Sequence, residues 1–168
     1  GVFCCVPGAR RDGHDFASSA VRQGASVLVV ERRLDLDVCQ ILVDDVRRAV
    51  GPIACSLNGH PSHRIPVVGV TGTNGKTTTV HLVAGILAAT GRSCGVLGTL
   101  TGRLTTPEAP DLQASLADFV DDGCSAVAME VSSHALALHR VEGTCFAAAV
   151  FTNLGRDHLD LHGSMAAY

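Results

Sequence analysis

Short apolar runs alternate along this chain with segments in which apolar residues recur every three or four positions. The apolar runs predict buried strands, as expected where helices cover both faces of a parallel sheet. They occupy residues 2–6, 25–30, 38–43, 67–70, 94–97, 126–131 and 147–152. The spaced segments predict helices from residue 16 to Gly24, from 44 to 50, from 76 to about Gly91, and from a cap at Asp111 to Gly123. This alternation predicts an α/β fold with a mostly parallel sheet and helices on both faces.

A polar stretch at residues 56–66 interrupts the alternation. It holds two prolines, two histidines and the turn-forming pair Asn58-Gly59, which is typical of a connecting segment. We therefore expect a domain boundary there, with one domain at residues 1–65 and a second at residues 66–168. The chain begins within a predicted strand and ends without a terminating signal, so we also expect a fragment of a longer protein.

Composition excludes several classes of protein. With a net charge of −3, the 168-residue chain has no overall attraction to nucleic acid. It holds no apolar run of about 18 residues and no signal-peptide pattern, so we expect no membrane association and a cytoplasmic location. Its seven cysteines include no C-x-x-C pair, which favours buried, reduced thiols over disulfides or a zinc site.

Residues 67–79, VVGVTGTNGKTTT, predict a strand, a glycine-rich turn and the first turn of a helix. Gly72 and Gly75 would let the backbone approach a polyphosphate, whose charge a helix N-terminus favours. Lys76 is the only lysine in the chain; it would contact the β- and γ-phosphates, while the Thr77 hydroxyl would bind Mg²⁺. The general phosphate-loop pattern has a further glycine five places before Gly75, where this chain has valine. A plain strand-to-helix connection therefore stays an alternative.

Polar side chains follow the apolar runs where a parallel sheet would bring strand ends together. Glu130 lies near the C-terminal end of the run at residues 126–131, where a Mg²⁺ ligand would be needed. The alternative is a charge pointing outward from an edge strand. His158 follows the last run and is a candidate second metal ligand, although a helix cap followed by a surface histidine would give the same sequence. We expect Asp160 and His162 to be structural. We expect His14, which has aspartates nearby, in a solvated loop rather than a metal site.

Four segments in this order closely resemble the Mur ligase family. They are TGTNGKTTT at residues 71–79, LTTPEAPDL at 104–112, MEVSSHAL at 129–136 and FTNLGRDHLD at 151–160. The segment PGARRDGHDF at residues 7–16 looks like the family's uridine-nucleotide domain. The resemblance covers essentially the whole chain. It implies a truncated uridine-nucleotide-binding α/β domain followed by the first part of a P-loop ATPase domain, a fragment that we expect to be inactive by itself.

The resemblance also implies which residues bind nucleotide and metal. ATP would bind to the phosphate loop, which comprises Gly72, Thr73, Asn74, Gly75, Lys76, Thr77 and Thr78. Thr77 and Glu130 would hold one Mg²⁺, and His158 would help to hold a second. The residues implied to be catalytic are Lys76, Glu130 and His158.

Further positions match the family's substrate contacts. The muramoyl-dipeptide would contact Thr105, Thr106, Ser132 and Arg140, and the uridine nucleotide would contact the loop at residues 8–11. The family commonly has serine at the position of Gly155, and some members have polar residues at the positions of Leu104 and Leu138.

The activity that the resemblance implies is ATP-dependent amide-bond formation in peptidoglycan synthesis. The terminal carboxylate of UDP-N-acetylmuramoyl-L-alanyl-D-glutamate would attack the γ-phosphate of ATP, and an amino acid would then displace phosphate from the acyl phosphate. We expect that this amino acid is the third of the stem peptide, with meso-diaminopimelate favoured over lysine, and that the enzyme is a monomer acting only on small molecules. Alternatives are a sister ligase, a folylpolyglutamate or cyanophycin type of ligase, a non-enzymatic nucleotide-binding module, and a structural fragment without a ligand.

Overall fold

The computed structural model describes residues 1–8 and 10–168, which divide into two compact units, Gly1–Val50 and Gly51–Tyr168. Ala9 lies outside the described residues, so the structure covers only part of the loop at 8–11 that was predicted to contact the uridine nucleotide. The domain limits predicted from the sequence, 1–65 and 66–168, stay a prediction.

The first unit contains a parallel three-stranded sheet. Its strands are β1 (Val2–Cys4), β2 (Val27–Val30) and β3 (Cys39–Leu42), in the order β1-β2-β3. A 3₁₀ turn at Gly13–Phe16 leads into helix α1 (Ala17–Arg22), which packs through Ala17 against Leu28 and Val30 of β2. The central strand β2 is almost wholly buried. Burial on both faces accounts for its uninterrupted apolar sequence.

His14 is a buried residue of the first unit, and the expectation that it lies in a solvated loop is wrong. The residue is 5% exposed, and its Nδ1 lies 2.6 Å from Asp12 Oδ1. The backbone N–H of Glu31 donates to His14 Nε2 over 3.0 Å, so the hydrogen-bond network assigns the ring proton to Nδ1. Hydrogen bonds from the backbone and ring of His14, with Arg32 at 2.9 Å, hold the pKa of Asp12 well below its usual range.

Helix α2 (Val46–Leu57) is longer than predicted, and its expected end at Gly51-Pro52 is wrong. Proline in a helix interior removes one backbone hydrogen bond and usually ends or bends the helix. Here the helix continues, and its later turns bury Ala54 and Cys55, which are 6% and 4% exposed. Tertiary packing therefore outweighs the local cost of the proline.

The second unit contains a parallel four-stranded sheet in the order β5-β6-β4-β7. Its two longer helices are α3 (Lys76–Ala89) and α4 (Ala109–Asp121), and its two short ones are α5 (Ser133–Ala137) and α6 (Leu159–His162). The strands are β4 (Val67–Thr71), β5 (Cys94–Leu97), β6 (Ala126–Glu130) and β7 (Ala148–Phe151). Because all four strands are parallel, their C-terminal ends meet at one edge of the sheet.

Helices cover both faces of this sheet, and the predicted α/β fold is confirmed. On one face, Leu112 of α4 belongs to a buried cluster with Val127 and Met129 of β6. On the other face, Val80 of α3 packs with Ala128 of the same strand. Successive β6 side chains thus contact different helices, which explains why this strand has almost no polar residue.

Helix α4 begins at Ala109, so the prediction of a cap at Asp111 is wrong. Glu108 occupies the N-cap position, and Pro110 lies in the first turn, where its missing N–H leaves no helical hydrogen bond unmade. Asp111 also lies in the first turn, where its negative charge is favourable near the positive end of the helix dipole.

Helix α3 is apolar on nearly all sides. Val80 is fully buried against the sheet, whereas Leu82 and Ile86 are 60% and 65% exposed on the opposite side. The helix is 14 residues long. Within the described residues, no helix combines the length and apolar character needed to cross a membrane.

All seven cysteines lie within the described residues and are free thiols, as predicted. Burial is uneven, however, because Cys5 and Cys55 are buried whereas Cys39 and Cys145 are exposed. Burial raises the pKa of the Cys5 and Cys55 thiols above the ordinary value. The expectation of buried thiols therefore holds for only some of the seven.

Candidate active site

The glycine-rich turn between β4 and α3 forms a cradle of backbone amides. Gly75 is the N-cap of α3, and the first backbone bond of the helix runs from Thr79 N to Gly75 O over 2.9 Å. The backbone N–H groups of the first helical turn have no acceptor within the helix. They form the positive end of the helix dipole. Gly72 and Gly75 have φ of 128° and 85°, values that favour glycine. The cradle is thus suited to a polyphosphate.

Lys76 lies over this turn. Its Nζ donates hydrogen bonds to Gly72 O at 2.6 Å and to Thr73 O at 3.0 Å. The ammonium group is therefore fixed close to the amides of the cradle, where it adds a full positive charge to the partial charges of the helix end.

Glu130 faces the cradle from the end of β6, and the alternative of an outward-pointing charge on an edge strand is wrong. Strand β6 lies between β5 and β4, and Glu130 is 2% exposed. Its Oε1 accepts hydrogen bonds from Thr77 Oγ1 at 3.0 Å and from the backbone N–H of Thr99 at 2.9 Å. A Cβ at Gly98 would lie 2.9 Å from Glu130 Cδ, so the carboxylate needs glycine at that position.

The oxygen atoms of Thr77 and Glu130 fit a magnesium ion. Mg²⁺ prefers oxygen ligands and is usually held by one or two protein groups together with phosphate oxygens. Among the described residues, no group of three or more His, Cys, Asp or Glu side chains could hold a metal. Thr77 and Glu130 supply two oxygen-bearing groups side by side, which suits an ion that also binds phosphate oxygens.

His158 lies next to a second histidine at the edge of the same cleft. It has φ of 52° and is the N-cap of α6, and its ring meets that of His134 edge to face, with centroids 4.7 Å apart. Burial, and to a smaller degree the charge of His158, lowers the pKa of His134. His134 is accordingly more easily kept neutral than an exposed histidine.

The residues predicted to bind the dipeptide lie on the other side of Glu130. Thr106 is fully buried, and its hydroxyl donates to Glu130 O at 2.9 Å and accepts from Ser132 N at 3.0 Å. Arg140 donates through Nη2 to Glu108 Oε1 at 2.8 Å and through Nη1 to Thr106 O at 3.2 Å. Thr105 Oγ1 lies 3.0 Å from Thr99 Oγ1. The Thr106 hydroxyl is thus fully used within the protein, whereas the guanidinium of Arg140 is held at the cleft wall.

These groups surround one cleft of about 470 Å³. It is lined by Thr73, Asn74, Gly75, Lys76, Thr77, Thr99, Leu104, Thr105, Thr106, Glu130, Ser132, His134, Arg140 and His158. All of the residues predicted to bind ATP, metal or the dipeptide line it, except Gly72 and Thr78. Side chains far apart in the sequence therefore converge at one sheet edge.

Several contributors to this arrangement were given no role by the sequence, although Asn153 was expected in the loop after the last strand. Thr99 binds the Glu130 carboxylate, and Thr152 and Asn153 hold the phosphate loop through hydrogen bonds to Asn74. Each follows the end of a strand, so the expectation that strand ends converge could have found all three. Tyr168 contributes a further contact, since its hydroxyl lies 2.9 Å from Thr73 Oγ1, and no sequence pattern points to it.

Two models of known protein families match this chain, one in each part. A model described as the Mur ligase middle domain matches residues 70–168. A second model, described as the catalytic domain of the Mur ligase family, matches residues 1–62.

Curated relatives resemble nearly the whole chain. A UDP-N-acetylmuramoyl-L-alanyl-D-glutamate--2,6-diaminopimelate ligase of Geobacillus kaustophilus is 47% identical over 99% of this chain and 36% of its own length. A ligase of the same name from Geobacter sulfurreducens is 46% identical over 100% of this chain and 35% of its own length. The chain therefore spans little more than a third of the relatives that it matches.

Solved structures show the same relationship. The structure of a UDP-N-acetylmuramoyl-L-alanyl-D-glutamate--2,6-diaminopimelate ligase superposes with a TM-score of 0.83 at 30% identity, over 99% of this chain and 36% of the other. A MurF ligase from Thermotoga maritima in complex with ADP superposes with a TM-score of 0.67 at 29% identity, over 99% of this chain and 37% of the other.

Proposed function

Because this chain belongs to the Mur ligase family, we propose that the complete protein is an ATP-dependent ligase of peptidoglycan synthesis. It joins diaminopimelate, in our proposal the meso form, to UDP-N-acetylmuramoyl-L-alanyl-D-glutamate. The proposal is supported by the names of its relatives, which are 2,6-diaminopimelate ligases acting on that compound. The observation that carries the proposal is the buried Glu130 carboxylate, which accepts a hydrogen bond from Thr77. Thr77 follows Lys76 in the first turn of α3. Oxygen ligands, a cation and free amides at one helix end suit Mg²⁺-nucleotide chemistry.

ATP binds through its phosphates to the loop formed by Gly72, Thr73, Asn74, Gly75, Lys76, Thr77 and Thr78. The free amides of this turn donate to phosphate oxygens, and Lys76 offsets charge on the β- and γ-phosphates. A complex of a family member with ADP supports nucleotide use by this fold.

Thr77 and Glu130 would hold one Mg²⁺, and His158 would help to hold a second. When bound, these ions neutralise phosphate charge during transfer of the γ-phosphoryl group. The chain's own contribution is to keep the Glu130 carboxylate buried and oriented, which the hydrogen bonds from Thr77 and Thr99 do.

The dipeptide lies across the cleft from the phosphate loop. Its negative charge is attracted by Arg140, whose guanidinium is held by Glu108 and by the Thr106 carbonyl. Thr105 and Ser132 complete the contacts, and Thr106 orients Ser132 and the end of β6. The terminal carboxylate of the dipeptide attacks the γ-phosphate to give an acyl phosphate and ADP, and the amine then displaces inorganic phosphate as the amide forms.

Since ATP and uridine nucleotides are cytoplasmic metabolites, we further propose that the reaction takes place in the cytoplasm. We propose a uridine-nucleotide domain at residues 1–65 and the start of the ATP-binding domain at residues 66–168, and we retain the prediction of a monomer.

The test is phosphate release by the complete protein in the presence of Mg²⁺, ATP and UDP-N-acetylmuramoyl-L-alanyl-D-glutamate. Meso-diaminopimelate and lysine are added in turn, with a reaction lacking any amino acid as the control. We expect release that depends on diaminopimelate. Release with lysine alone would assign the other amino acid, and no release with either, in a protein that binds ATP, would contradict the proposed activity.

A further inference from the structure

The segment that follows β7 crosses the phosphate loop and is bonded to it at several points. We call residues 152–155 the β7 strap. The amide of Asn153 makes a reciprocal pair of hydrogen bonds with the Asn74 peptide. Its Oδ1 accepts from Asn74 N at 3.1 Å and its Nδ2 donates to Asn74 O at 3.0 Å. The Asn153 side chain thus holds both the backbone N–H and the backbone carbonyl of Asn74.

Neighbouring groups of the β7 strap extend this contact. Thr152 Oγ1 donates to Asn74 O at 2.6 Å, so that carbonyl accepts from two side chains. The backbone N–H of Thr73 donates to Asn153 O at 2.9 Å, and the backbone N–H of Gly155 donates to Thr73 Oγ1 at 2.8 Å. Both residues between the two loop glycines are therefore fixed from one side.

The close approach of the two segments is an independent sign that this contact is built into the fold. A Cβ at Gly72 would lie 2.9 Å from Asn153 O and 3.0 Å from Asn153 N, and it would also overlap Thr152 Oγ1. Any larger residue at Gly72 would push the β7 strap away from the loop.

The β7 strap acts where the loop is most free to move. Gly72 and Gly75 both have positive φ and flank the pair that the β7 strap holds. Glycine loses more conformational freedom on ordering than other residues, so an unsupported loop would have to be ordered by the nucleotide at the expense of affinity. Binding to a preorganised loop avoids that loss.

We propose that Asn153 is a positioning residue for the nucleotide, and that with Thr152 it holds the phosphate loop in its binding conformation by gripping the Asn74 peptide. The inference rests on the proposed function, since it assigns how that site is kept in shape. Within the described part of the chain, neither Asn153 nor Thr152 lines the cleft, so their effect reaches the nucleotide through Asn74.

The experiment measures the binding of Mg²⁺-ADP to the complete protein by calorimetric titration, together with KM for ATP and for the dipeptide nucleotide. Asn153→Ala removes two hydrogen bonds and is expected to weaken ADP binding about five- to fiftyfold. KM for ATP should rise in proportion, while KM for the dipeptide nucleotide stays within about twofold. If Asn153 only supported the fold in general, the substitution would raise KM for both substrates alike.

Two conservative substitutions at Thr152 test the same contact in case Asn153→Ala fails to fold. Thr152→Val keeps the shape but removes the hydroxyl, and is expected to weaken ADP binding about two- to tenfold. Thr152→Ser keeps the hydroxyl and should stay within about twofold of the unaltered protein. As a matched control, Asn58→Ala removes an amide that donates to the Ala54 carbonyl at 2.8 Å elsewhere in the unit, and should leave ADP binding unchanged.

The outcomes separate this inference from the proposed function. If the unaltered protein binds ADP and both Asn153→Ala and Thr152→Val bind it equally well, the positioning role is wrong while the proposed function stands. If the unaltered protein does not bind ADP, the proposed function is wrong and the inference falls with it. Weaker binding by these two variants, with Thr152→Ser and Asn58→Ala unaffected, supports the positioning role.

Discussion

A single ammonium group supplies the full positive charge at the phosphate loop. Lys76 bonds to the carbonyls of Gly72 and Thr73 at 2.6 and 3.0 Å, which places its charge over the amides that would receive a phosphate. Because phosphoryl transfer is catalysed mainly by positioning and charge stabilisation, this residue should matter more for turnover than for folding.

We therefore expect Lys76→Ala to lower phosphate release by the complete protein at least about a hundredfold, the usual order for losing one group that stabilises transition-state charge. Steady-state kinetics at saturating ATP would measure it. Arg92→Ala, at an exposed basic residue just beyond the same helix, is the control and should keep normal activity. Turnover of Lys76→Ala within about threefold of the unaltered protein would contradict the assigned role.

Asp12 makes the stability of the first unit depend on pH. Its folded-state pKa is depressed, first by the His14 backbone N–H. The stabilising contribution is thus fully present above the unfolded-state value of about 3.9 and is lost as the pH falls below it toward the folded-state value.

We expect Asp12→Asn to lower the urea midpoint of the complete protein at neutral pH, and the difference from the unaltered protein to shrink as the pH falls below about 4. Asp35→Asn, at an exposed aspartate of the same unit, is the control for the substitution itself. A difference that grows on acidification would mean that the sign of the pKa shift is wrong.

At the scale of helices and strands, the apolar pattern predicted where elements lie better than where they end. Every predicted strand exists, because a run buried on both faces leaves a strong local signal. The end of α2 and the start of α4 differ from the prediction for a common reason. Each has a proline where a helix would ordinarily end or not yet have begun. Burial of Ala54 and Cys55 carries one helix through Pro52, and Pro110 fits the first turn of the other.

Two glycines, one inside a helix and one just after a strand, should respond in opposite ways to substitution by alanine. Gly85 lies within α3 with no atom near its added Cβ, so Gly85→Ala is expected to stabilise the complete protein by about 0.5–1 kcal/mol. Gly98 follows β5 and its Cβ would meet the Glu130 carboxylate. Gly98→Ala is therefore expected to destabilise by about 1–3 kcal/mol and to weaken Mg²⁺-ADP binding.

Urea unfolding and ADP titration of both variants would check this pair, and Gly85→Ala serves as the control for alanine substitution as such. If Gly98→Ala bound Mg²⁺-ADP as tightly as the unaltered protein, the Glu130 carboxylate could move without loss of affinity. That result would contradict the prediction.

For the chain as a whole, the family, the fold class and the cleft could be anticipated because each depends on local motifs and on the convergence of parallel strand ends. The partners of individual side chains could not. That Thr99 binds Glu130 requires β5 to lie beside β6, and that Asn153 binds Asn74 requires β7 to lie beside β4. Strand order is set by packing across the sheet, and the sequence carries no local signal of it.

These contacts join residues that are far apart in the sequence. Their separation therefore determines at which stage of folding the site can form. The β7 strap joins residues 79 positions apart, and the Thr77–Glu130 hydrogen bond joins residues 53 positions apart. Contacts between distant segments are made late in folding, because the intervening chain must first lose its freedom. A growing polypeptide therefore carries the phosphate-loop sequence long before it can hold the loop in shape. Affinity for nucleotide should arise abruptly once the strand before Thr152 has joined the sheet.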